Sequence, residues 1–174
     1  MASAEQLFHT FKTEEIGVQI KLRVIPHAGQ RYPTSGDWRF FGSQHVEGTF
    51  EVDDMLEVSV SRMGDWRYEA LVGIHEAIEA LLCKKDGVTG ESVDRFDMFY
   101  EDARAKNREF FPCGCAMSAT SEPGDDIHAP YRAQHAAATL VETFLAEKLG
   151  VSWSDYEAAN LALYETPAQE EAAQ

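Results

Sequence analysis

Three ionisable side chains, His75, Glu76 and Glu79, sit in the run GIHEAIEALL, residues 73–82, among Ile74, Ile78, Leu81 and Leu82. A histidine and a glutamate four residues apart leave the same face of a helix. An imidazole nitrogen and a carboxylate oxygen are both ordinary zinc ligands, and Glu76, one residue further round, is suited to take a proton from a metal-bound water. Charged groups in an apolar run are costly unless paired, solvated or bound to a metal. A second segment, YRAQHAAATLVE at residues 131–142, supplies His135 and Glu142 two helical turns apart, with Ala138 and Thr139 between them small enough for another helix to approach closely. The candidate metal ligands are therefore His75, Glu79 and His135. Glu142 is either a fourth ligand or an acceptor that orients an imidazole, and Glu76 is the candidate catalytic base.

The eight residues from His75 to Leu82 resemble the active-site helix of the zincin metallopeptidases, whose usual motif is His-Glu-x-x-His. Glu79 stands where that family carries its second histidine. The resemblance extends over about twenty residues, since a strand precedes the helix here as it does there. It implies a zincin-like fold, a bound zinc, a further histidine or glutamate ligand from a downstream helix, and hydrolysis of a peptide or small amide substrate.

The elements that must position these groups are legible from periodicity. Apolar and polar residues alternate over residues 17–25, 48–52 and 55–60, and residues 38–41 supply a further strand. From Trp66 the period changes to a helical one, through Leu71, Ile74, Ile78, Leu81 and Leu82, until Lys84, Lys85 and Gly87 give end signals. Further helices are predicted over residues 92–106, from Pro130 as a first-turn residue to Gly150, and from a Ser154 cap to Tyr164. Strands first and helices afterwards predict an α+β fold, an antiparallel or mixed N-terminal sheet followed by about four helices. With 174 residues, one domain over residues 1–165 is expected, and the tail ETPAQEEAAQ reads as flexible and acidic over residues 166–174.

Fifteen basic against thirty acidic residues give a net charge of -15, which disfavours direct nucleic-acid binding. No stretch suggests a membrane span or a signal peptide, and three cysteines fit a reducing, cytoplasmic setting. Cys113-Gly114-Cys115 lacks the second pair that a structural zinc site needs, and reads as loop cysteines. Asp125 or Asp126 is expected to cap the helix after Pro130, with His128 a weaker ligand candidate. Two other metal sites are conceivable: a two-metal carboxylate bundle using the same four residues, and a magnesium site at Asp94 or Asp97. The non-metal alternative pairs Glu79 with Arg132, Arg67 or Lys84. It makes the chain a non-catalytic acidic binding or inhibitor protein for a basic protein partner, of a size that suits a virus-encoded protein.

Overall fold

The computed structural model describes residues 18–42, 54–117 and 122–165. Three strands come first, β1 (Val18–Ile25), β2 (Gly36–Gly42) and β3 (Asp54–Ser61). They form a mixed sheet in the order β1-β3-β2, with β1 parallel and β2 antiparallel to β3. Four helices follow, α1 (Trp66–Asp86), α2 (Gly90–Ala105), α3 (Arg132–Lys148) and α4 (Trp153–Glu165), with a 3-10 turn at Pro123–Asp125 before α3. The expected α+β order is present. The expected strand over residues 48–52 and the acidic tail lie outside the described residues. No helix among the described residues is long and apolar enough to cross a membrane.

β3 is the central strand, and its alternation explains its burial. Leu56, Val58 and Val60 are wholly buried on the face covered by α1. On the other face Glu57 is paired by Lys21 and Arg23 from β1. The substitution of sheet for solvent thus costs the buried carboxylate little. α1 begins where the Asp65 side chain accepts the Arg67 N–H at 2.9 Å, and ends where Gly87 takes φ +73 and its N–H returns to the Cys83 and Lys84 carbonyls. Leu71, Val72, Ala80 and Cys83 are buried and join Trp38 of β2 in the core.

Three helix starts differ from the sequence expectation. α2 starts at Gly90 because the Thr89 side chain accepts the Ser92 N–H, so Ser92 lies inside the helix. α3 starts at Arg132 and not at Pro130. Asp126 does not cap it, because its carboxylate is spent locally, accepting the His128 N–H at 2.8 Å. α4 starts at Trp153, with the Ser152 carbonyl accepting the Tyr156 N–H, which places Ser154 inside the helix.

Candidate metal centre

α1 and α3 pack side by side. Their shared face carries buried His75, Glu79, His135 and Glu142, so the structure brings together all four residues singled out as candidate ligands. Three atoms converge. His75 Nε2 lies 3.1 Å from His135 Nδ1, His135 Nδ1 lies 3.0 Å from Glu79 Oε2, and His75 Nε2 lies 3.5 Å from Glu79 Oε2. Tetrahedral zinc with bonds of about 2.0–2.1 Å separates neighbouring ligand atoms by about 3.3 Å, so this triangle has the dimensions of one tetrahedral face.

The far side of each ring decides what faces the triangle. His75 Nδ1 lies 2.9 Å from Glu142 Oε2. A carboxylate only accepts, so Nδ1 carries the proton and a neutral His75 turns its Nε2 lone pair inward. His135 Nε2 lies 3.2 Å from Glu122 Oε2 and 3.7 Å from Asp125 Oδ1, while its Nδ1 lies 3.0 Å from Glu79 Oε2, so carboxylates face both ring nitrogens and favour a proton on each in the metal-free chain. Glu79 is held as well, since its Oε1 accepts the Trp38 indole N–H at 2.9 Å. A cation that replaced the His135 Nδ1 proton would meet that nitrogen, the His75 Nε2 lone pair and the Glu79 carboxylate oxygen together. Carboxylates behind metal-binding imidazoles have this orienting role. Of the two roles open to Glu142, the geometry favours orientation of His75, because it contacts the outward nitrogen while the Tyr156 hydroxyl donates to its other oxygen.

In a metal-free chain protons fill the same place, and the electrostatics reflect it. Burial opposes charge on His75, but hydrogen bonds to Glu142 and Glu79 outweigh it and raise its pKa well above the ordinary histidine value. His135 is raised to about 10, Glu122 and Glu79 outweighing its burial. Burial pushes Glu79 up, yet the two imidazoles hold it down to about 2. The site is thus charge-complementary with itself when protonated, and metal binding there must displace protons.

Glu76 lines the same narrow cavity of about 60 Å³ as His75, Glu79 and His135. Its carboxyl is raised well above the ordinary range, by burial first and by the charge of Glu79 second. Two glycines make the packing possible. A Cβ on Gly36 of β2 would collide with the Glu76 carboxyl, and one on Gly124 of the 3-10 turn would collide with the His135 ring. A neighbouring cleft of about 320 Å³ opens beside His135, walled by Glu122, Asp125, Trp153, Tyr156, Asn160 and Tyr164.

Other expectations fall away. Arg67 pairs with Asp65, and Arg132 reaches the Asp125 carbonyl, so neither neutralises Glu79. Asp94 is taken by Arg31, while Asp97 accepts from the Tyr131 and Tyr32 hydroxyls, so the magnesium candidates have partners already. His128 Nδ1 lies 3.0 Å from Asp126, away from the triangle. β1 and β2 occupy both edges of β3, so its main chain is not open to an extended peptide. Trp38, Glu122 and Tyr156 were not anticipated. Their only sequence signal is Glu122 beside the Pro123-Gly124 turn, which brings a carboxylate back against α3.

Comparison with models of known protein families, with curated proteins and with solved structures gave no match.

Proposed function

We propose that the chain is a zinc-dependent hydrolase of amide or peptide bonds, similar in its working parts to a zincin. The observation that carries this reading is the convergence of His75 Nε2, Glu79 Oε2 and His135 Nδ1, each held from behind by a second group. A zinc ion bound there would polarise the substrate carbonyl and acidify a water. Glu76, whose carboxyl lines the same cavity as the three ligands, would take a proton from the attacking water and deliver it to the leaving nitrogen. Glu142 and Glu122 keep the imidazole tautomers fixed through the cycle. Substrate enters by the cleft beside His135, whose carboxylates and aromatic walls favour a cationic group. An extended substrate would run along β2, whose Gly36 to Trp38 end borders the site and whose outer edge pairs with no strand among the described residues.

The test is a Glu76→Gln variant assayed against a library of peptides and small amides beside the native chain. The expected outcome is amide hydrolysis by the native protein that a chelator abolishes and zinc restores, with hydrolysis lost and metal content kept in Glu76→Gln. Hydrolysis that survives both chelation and Glu76→Gln would overturn the reading.

A further inference from the structure

The chain between α2 and the 3-10 turn carries chemistry that a hydrolase leaves unused. Residues 109–117 form a short hairpin, in which the Met117 N–H donates to the Glu109 carbonyl at 2.8 Å, Phe110 bridges Ala116, and the Phe111 N–H donates to the Cys115 carbonyl at 2.9 Å. At its tip the Gly114 N–H donates to the Phe111 carbonyl at 2.8 Å, Pro112 fixes the first corner, and Gly114 takes φ +83. This is the three-residue hairpin loop closed by a glycine bulge, a turn of defined shape.

That shape presents two thiols together. Cys113 and Cys115 lie within hydrogen-bonding reach of each other, and the Cys115 N–H points at Cys113 Sγ from 3.4 Å. The base of the hairpin is anchored, since buried Phe111 stacks on Phe96 and Phe99 of α2 at 5.9 and 5.7 Å between ring centroids. The tip is open: Cys113 is exposed and Cys115 half-buried, whereas the third thiol, Cys83, is sealed in the core.

We propose that Cys113 and Cys115 form a thiol–disulfide exchange site whose substrates are low-molecular-weight disulfides. Cys113 is the attacking sulfur, because hydrogen bonds from the Cys115 thiol and amide stabilise its thiolate and lower its pKa. Its thiolate attacks one sulfur of the small disulfide, that S–S bond breaks, and the departing thiolate takes up a proton from solvent. Cys115 then loses its proton and attacks the Cys113 sulfur of the mixed disulfide, which expels the second small thiolate. Two electrons and two protons pass from the protein to the small disulfide, leaving a Cys113–Cys115 bond and two small thiols. A ring closed over three residues is strained and exposed, so thiols reopen it more readily than they would a structural disulfide. No metal and no hydrolytic step enters.

The full chain, fully reduced, would be incubated in mixtures of oxidised and reduced glutathione, quenched with acid, and mapped by peptide mass spectrometry, with and without prior chelation. The expected result is reversible closure of Cys113–Cys115 while Cys83 remains a thiol, unaffected by chelation. Cys115→Ser should halt at a glutathione adduct on Cys113. Gly114→Ala, which strains the left-handed position, should accumulate the adduct and close roughly tenfold more slowly. Cys113 left as a free thiol in oxidised glutathione, stable adducts on both cysteines, or closure of Gly114→Ala at the native rate would each overturn the proposal.

Discussion

The two faces of α1 are buried by different means. Leu71, Val72, Ala80 and Cys83 join Leu56, Val58 and Val60 in one buried apolar cluster, and what holds them is apolar area removed from water. That force has no direction, so any side chain of similar volume serves nearly as well. Toward α3, His75 and Glu79 meet His135 and Glu142, and every polar atom needs a named partner. Glu142, Glu122, Trp38 and Tyr156 satisfy the outer atoms, and the three inner ones have only each other. The first face is complete as the chain folds. The second closes on protons in the metal-free chain, and a cation that displaced them would meet the same three atoms.

The largest expected effect falls on the second face. Glu142→Ala strips the acceptor from both His75 Nδ1 and the Tyr156 hydroxyl, and should cost about 3–5 kcal/mol in denaturant unfolding. Zinc affinity, read by competition with a chromophoric chelator, should fall about 10–100-fold. An unchanged affinity would remove the orienting role assigned to Glu142. On the first face, Leu56→Ala leaves a cavity under α1 and should cost about 2–5 kcal/mol, yet zinc affinity should hold. Loss of zinc in that variant would erase the distinction between the faces. Trp38 sharpens the comparison because it belongs to both, its ring in the core and its Nε1 on Glu79. Trp38→Phe keeps most of the apolar contact and removes the donor, so about 1.5–3 kcal/mol should be lost. Calorimetric unfolding of the metal-free chain checks it, and an unchanged stability would remove the role given to the indole N–H on Glu79.

The sequence made the first face and half of the second legible. Alternation in β3 and the change of period at Trp66 follow from strand and helix geometry alone, and the same geometry puts His75 with Glu79 and His135 with Glu142. What periodicity does not carry is which elements meet. Trp38 reaches Glu79 from a strand 41 residues earlier, and Glu122 reaches His135 only because Gly124 lets a turn lie against the ring. The misplaced start of α3 has a local cause, since Pro130 suits a first turn but Asp126 is already engaged with His128. Strand order is likewise a tertiary property, and the central position of β3 emerges only from its register with β1 and β2.

The most direct test is the metal content of the purified, untagged chain by plasma mass spectrometry after reconstitution with zinc and removal of excess, beside His75→Ala and His135→Ala. A single zinc ion per native chain, lost in both variants, is the predicted result. A native chain that retains no divalent metal, or variants that retain as much as the native chain, would contradict the account.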